Sequence, residues 1–115
     1  MAMIQRAAVP AVPALAREVM PVPELGGDVI VQELTLDARL DFERALRGSA
    51  RRGVMAMVPH LLAATVVLED GEPLYTVDEW RAFGARNPAR KDAAVGLFNT
   101  AMRLSGFDGE AAKKN

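Results

Sequence analysis

The N-terminal part of the chain alternates hydrophobic and polar residues before the spacing changes to that of helices. Residues 19–22 and 28–35 have the extended pattern of two β-strands, with Val29 and Val31 on one face of the second. The turn at 24–27, ELGG, supplies glycine where the backbone needs a positive φ. Pro21 confines the first strand to a sheet edge, since proline cannot donate to a neighbouring strand. The pattern predicts a β-hairpin whose apolar face packs on helices.

The first predicted helix covers residues 36–47 and begins after Thr35, a good capping residue. Its charged residues form a solvated side that includes Arg39, and an ion pair is expected between Glu43 and Arg47. Its apolar side is imperfect and consists of Leu36, Leu40, Phe42 and Leu46.

Residues 54–68 are almost wholly apolar, so periodicity alone does not separate a buried helix from a buried strand. The leucines and alanines at 61–64 favour helix, whereas the β-branched residues at 65–67 favour strand. Pro59 fits the first turn of a helix, and we predict a buried helix over 59–67. His60, near its start, is expected to be a partly buried imidazole with a local hydrogen bond. Without a catalytic partner nearby, it is a poor candidate for acid–base chemistry.

The acidic stretch VVLEDGEPLYTVDEW, residues 66–80, has the pattern of a turn followed by a helix start. Thr76 and Glu79 have the spacing of a capping box, in which each side chain bonds to the backbone of the other. Tyr75 and Trp80 have the spacing of a hydrophobic staple across the same helix start. These acids therefore have structural roles, and no catalytic site is predicted. Further helices are predicted over 77–85 and 88–105.

The amino-acid composition excludes several kinds of binding site and catalysis. Half of the 115 residues are hydrophobic but only 5% are aromatic, so the core must be built from Ala, Val, Leu and Met. A net charge of −1 does not provide the basic surface that nucleic-acid binding requires. The absence of cysteine and the single histidine argue against disulfides, thiolate catalysis, a metal site or a bound cofactor. We therefore expect a protein that is not an enzyme.

No apolar run is long enough for a transmembrane helix. The first 16 residues loosely resemble a secretion signal, with Arg6 ahead of an apolar run, but Pro10 and Pro13 interrupt that run. We expect a cytoplasmic protein of α+β class, mostly helical, with an N-terminal β-hairpin packed on about four helices. Residues 1–17 are predicted to form an apolar, proline-containing arm, 18–107 a single domain and 108–115 a polar tail.

Two groups of apolar residues are candidates for binding a partner protein. Methionine-rich surfaces repack easily against different helices, which suits them to protein recognition. The alternative is that the arm is a frayed terminus and that the residues of the second group line the core. The first group is in the arm (Ile4, Val12 and Leu15), and the second precedes the buried helix (Val54, Met55, Met57 and Val58).

Several landmarks occur in a recognisable order: VPELGGDVIVQEL, then a charged helix, then DGEPLYT, then a helix ending in LSG, and finally KKN. From about residue 22 to the end, the chain resembles the tail assembly chaperones of long-tailed bacteriophages and prophages. The resemblance implies a non-enzymatic protein of the bacterial host cytoplasm that binds the tape-measure protein. It would keep that long helical protein soluble while tail-tube subunits polymerise, and would be absent from the finished virion.

The resemblance also implies further partners: the tail-tube protein, a longer form of the chain made by ribosomal frameshifting, and further copies of the chain itself. The terminal KKN is compatible with an adenine-rich slippery sequence in the gene. Two other readings stay open. A small structural or connector protein would remain in purified particles, and a small protein-binding regulator would function without neighbouring tail genes.

Overall fold

The computed structural model describes residues 14–48 and 53–107, together with residues 3, 5, 7 and 12. The described residues form a small antiparallel sheet and four α-helices, which confirms a mostly helical α+β fold. The strands are β1 (Arg17–Val22), β2 (Gly27–Gln32) and β3 (Val66–Val67). The helices are α1 (Leu36–Gly48), α2 (Val58–Thr65), α3 (Val77–Phe83) and α4 (Pro88–Leu104). The predicted tail, 108–115, lies outside the described residues.

The N-terminal hairpin forms as predicted, and β1 is an edge strand in the order β1-β2-β3. Pro21 lies on this edge, where its missing N–H leaves no partner unsatisfied. A short 3-10 turn over Pro23–Leu25 joins the strands and ends at Gly26, whose φ of +89° favours glycine. The first strand begins at Arg17, a residue that the sequence assigned to the arm.

The buried segment after Pro59 is a helix only as far as Thr65, so the prediction of helix to residue 67 was wrong at its end. Val66 and Val67 pair with β2 as a third strand. Leu74 N donates to Val66 O at 3.0 Å, so the chain that returns after the turn covers the other side of this strand. The two β-branched valines fit a sheet, and their strand partners are distant in sequence.

One hydrophobic core lies between the inner face of the sheet and the helices. The inner face presents Val29 and Val31 from β2, while Leu61 and Leu62 of α2 are fully buried beside Leu97 of α4. Because α2 packs against both α3 and α4, it is the central helix of the domain. Aromatic side chains enter the core from α3 and α4 (Trp80, Phe83 and Phe98).

The start of α3 contains both halves of the capping box. Thr76 Oγ1 accepts from Glu79 N at 3.2 Å, and Glu79 Oε1 accepts from Thr76 N at 2.9 Å. The Tyr75 and Trp80 rings meet edge to face, with centroids 5.0 Å apart, as a staple requires. The helix ends at Phe83, two residues before the predicted end.

The last helix begins at a side-chain cap, because Asn87 Oδ1 accepts from the backbone of Arg90 at 3.2 Å. It ends one residue earlier than predicted. Gly106 has φ +81°, and Phe107 N donates to Met102 O at 2.8 Å, which closes the C-terminal turn. This closure places the Phe107 ring against α1, 5.6 Å from the ring of Phe42.

Candidate functional site

The end of α4 positions α1. Ser105 accepts at Oγ from Leu34 N at 3.0 Å, and its carbonyl accepts from the guanidinium of Arg39. The same guanidinium lies 4.1 Å from the centre of the Phe107 ring, as a cation–π contact. Arg39 was expected on the solvated side, which was wrong, because these contacts turn it towards the domain. Its ion pair with Glu43, at 3.4 Å, takes the place of the predicted Glu43–Arg47 pair.

Because α1 is held in this orientation, two residues of its predicted apolar side face solvent instead of the core. Phe42 is buried and Leu46 packs partly against the core, but Leu36 is 71% exposed and Leu40 is 50% exposed. Both exposed leucines lie one helical turn apart on the side facing away from the domain. The helix therefore presents apolar residues to solvent as well as to the core.

A groove runs between α1 and α2 and has a volume of about 190 Å³. We call it the α1–α2 groove. Its walls have helical spacing on both sides, and most of the exposed wall surface is apolar. Alanine side chains keep the walls low, so the backbone of another helix could approach closely. The residues that line it are Ala38, Asp41, Phe42 and Ala45 of α1 and His60 and Ala64 of α2.

His60 differs from its prediction. The side chain is partly buried, as expected, but its buried Nδ1 atom has no hydrogen-bond partner among the described residues. The expected local hydrogen bond is therefore not formed at this atom.

The predicted binding segment before α2 is divided between surface and core. Met55 is 47% exposed, whereas Met57 is only 1% exposed and Val58 packs partly against the core. The hypothesis that Met57 contacts a partner was wrong, because its long unbranched side chain fills the core at the start of α2. The side chain of Val54 lies outside the described residues.

The predicted arm residues are also divided. Val12 is 92% exposed and Leu15 is 38% exposed, so both are available to a partner. Ile4 lies outside the described residues. None of the candidates that the structure describes lines the α1–α2 groove. That groove was missed because half of the residues that line it are alanines, which carry no signal of their own in a sequence.

The acids of the stretch 66–80 have structural roles in the structure as well. Asp70 Oδ1 accepts from Glu72 N at 2.9 Å within the turn, and Asp78 pairs with Arg81 at 3.1 Å. Within 14–48 and 53–107, no group of three or more His, Asp or Glu side chains could hold a metal ion. None of the helices in this part of the chain is long and apolar enough to cross a membrane.

Comparison with known proteins places this fold. No protein-family model matches the sequence, and no curated protein matches it. Among solved structures, the chain is similar to the tail assembly chaperone of bacteriophage HK97, with a TM-score of 0.56 and 20% sequence identity. The similarity covers 90% of this chain and 94% of that chain. The chain has the fold of a bacteriophage tail assembly chaperone. The resemblance inferred from the order of sequence landmarks is confirmed at the level of the fold.

Proposed function

We propose that this chain is a tail assembly chaperone of a bacteriophage or prophage, and that it acts by binding the tape-measure protein in the host cytoplasm. The observation that carries the proposal is the fold similarity to the HK97 chaperone, which extends over 90% of one chain and 94% of the other. A likeness over nearly the whole of both chains, rather than over one motif, favours a shared role. The sequence landmarks independently indicate the same family.

The α1–α2 groove gives this role a physical basis. A tape-measure protein of the kind that the resemblance implies is long and helical, and a helix binds most readily by laying its apolar face into an apolar groove. The low walls formed by Ala38, Ala45 and Ala64 would admit such a helix at close distance. Asp41 on the groove wall favours a partner that carries a basic residue beside its apolar stripe.

The size of the groove indicates how such a chaperone would work. Ala38 and Ala45 are seven residues apart, which is about 10 Å along a helix. One copy would therefore cover about two turns of its partner, and many copies would be needed along a long helix. Each contact would be weak by itself. Weak, separate contacts could be released one at a time as tail-tube subunits take their place.

The proposed function also predicts which proteins are present in the finished virion and which further proteins bind this chain. A chaperone acts during assembly and should be absent from purified virions. The tail-tube protein and a longer, frameshifted form of the chain are further proposed partners. The proposed activity is the covering of apolar surface, and no chemical step is involved.

Co-expression with the tape-measure protein of the same tail gene cluster tests the proposal. We expect the tape-measure protein to be soluble with this chain and to aggregate without it, as measured by its share of the soluble fraction and by co-purification. If it aggregates equally in both cases, the proposed function is wrong.

A single substitution tests the groove separately. Ala64 is exposed on α2, so Ala64→Arg would fill the groove with little effect on the core. We expect at least a tenfold loss of co-purified tape-measure protein. Ala89→Arg, which places the same side chain at an exposed position of α4, is the matched control and should bind normally. If Ala64→Arg binds as well as the control, the partner contacts another surface.

A further inference from the structure

The outer face of the sheet carries a second apolar groove, distinct from the α1–α2 groove. In the strand register, Val19 lies opposite Ile30, and Ile30 lies opposite Val67, so these residues form one row across all three strands. Leu68 and Leu74 extend the row beyond β3. The resulting depression has a volume of about 350 Å³, and we call it the sheet groove.

The sheet groove is open to solvent and has an acidic rim. Val19 and Leu68, at the two ends of the row, are 63% and 45% exposed, while Val67 between them is buried. The carboxylates of Asp28 and Glu69 flank the groove. Val29 and Val31 of the inner face pack with helix residues in the core, whereas Val19 of the outer face is exposed. The groove therefore suits an extended, apolar segment that carries a positive charge.

The N-terminal arm has this composition. Residues 1–13 are mostly Ala, Val, Met, Ile and Pro, and Arg6 is their single charged side chain. Pro10 and Pro13 favour an extended chain, which at about 3.1 Å per residue would reach about 40 Å. The described apolar side chains of the arm are not packed on the domain, since Met3 is 80% exposed and Val12 is 92% exposed.

The start of β1 is fixed to the end of β2 by hydrogen bonds. Ala16 is held at both backbone groups, because its N–H donates to the Glu33 carboxylate and its carbonyl accepts from Glu33 N, each at 2.9 Å. Arg17 then lies across the outer face, bonded to Gln32 Oε1 at 2.7 Å and to Glu69 O at 3.2 Å. Ala14 and Leu15, the described residues directly before Ala16, are exposed and are not among the residues that line the groove.

We propose that residues 1–13 of one copy bind in the sheet groove of a second copy. The apolar side chains of the arm would cover the row from Val19 to Leu68, and Arg6 would lie near Asp28 or Glu69. This contact joins two different surfaces, so each copy offers one arm and one groove. Such a contact builds rings or open chains of copies, or a closed pair when two copies exchange their arms.

The expected strength follows from the size of the arm. A segment of this length would bury roughly 1,000 Å² in total, which is at the lower limit for a specific interface. We therefore expect association in the micromolar range, visible as a rise in mass with protein concentration. A linear array of copies would also present α1–α2 grooves at regular intervals, as a long helical partner requires.

Two variants test the proposal with the chain alone, so the result does not depend on tape-measure binding. The first lacks residues 1–13 and keeps its groove. The second carries Val19→Lys and Leu68→Lys, two exposed positions, and keeps its arm. Sedimentation velocity of each variant over a hundredfold range of concentration should show only monomer. An equimolar mixture should show a 1:1 complex, because one variant supplies the arm and the other the groove.

Each alternative gives a different result. Ala89→Lys, at an exposed position of α4, is the control and should associate like the unmodified chain. The proposal is wrong if the unmodified chain stays monomeric. In that case the sheet groove would bind the arm of the same chain or another protein. It is also wrong if the arm-less variant still associates, or if the two variants fail to combine. Circular dichroism of both variants would verify that they are folded.

Discussion

The helices α4 and α1 both contain several apolar residues, but α4 buries most of them in the core and α1 leaves most of them partly or fully exposed. α4 buries five apolar side chains in the core, whereas α1 buries only Phe42 although it contains three leucines. α4 is held along its length by packing. α1 is held mainly at one side by Ser105, Phe107 and the Arg39 contacts between them. The number of leucines in a helix therefore does not measure how much of it is buried.

The domain therefore has two parts. The body consists of the sheet with α2, α3 and α4, which pack around the core, and the second part is α1, whose outer side is exposed. The buried residues that stabilise the body are in α2, α3, α4 and the inner face of the sheet. The exposed leucines of α1 and the alanines of its groove add little to the core and are free to contact a partner. A protein that covers the apolar face of another chain needs both parts, since the body must stay folded while the surface remains apolar.

The largest expected effect lies in the body. Leu97→Ala should lower the free energy of unfolding by about 3 kcal/mol, because a fully buried leucine is replaced by a cavity. Urea denaturation followed by circular dichroism would measure the loss. A loss below about 1 kcal/mol would show that α4 is not packed as described and would remove the contrast with α1.

A smaller effect is expected where α1 is anchored. Arg39→Met keeps the aliphatic stem but removes the bond to the Ser105 carbonyl and the contact with the Phe107 ring. We expect a loss of about 1 kcal/mol, since the side chain is partly exposed and the charged contacts are weakened by solvent. Hydrogen exchange should become faster in α1 and stay unchanged in α4. Arg44→Met, at an arginine side chain that is 77% exposed, is the control and should change neither measurement.

The smallest effect is expected on the outer side of α1. Leu40→Ser should change the free energy of unfolding by less than about 1 kcal/mol, because half of the side chain is already exposed and the loss of helix propensity is only a few tenths of a kcal/mol. Thermal unfolding at low protein concentration would measure this. If stability falls by more than about 2 kcal/mol, Leu40 is covered in solution, and the contrast between the two helices is wrong.

The features that could be predicted from the sequence are those whose partners are near in the chain. The capping box of Thr76 and Glu79, the cap at Asn87 and the glycine turn at Gly106 all form within a few residues. The N-terminal hairpin follows from alternation and a short turn. These local rules place the elements in order, and that order was enough to indicate the fold of a tail assembly chaperone.

The sequence by itself determined the elements, their caps, the hairpin and the absence of a local catalytic motif, because short-range hydrogen bonds and periodicity act within each segment. Only the tertiary structure decided which side of α1 faces the core. That choice depends on Ser105 and Phe107, which are more than sixty residues away from Arg39 and Phe42. The same reason applies to Val66 and Val67, which became a strand because β2 was beside them. Both grooves are likewise spaces between distant segments, and their small or alternating residues acquire a common surface only when the chain is folded.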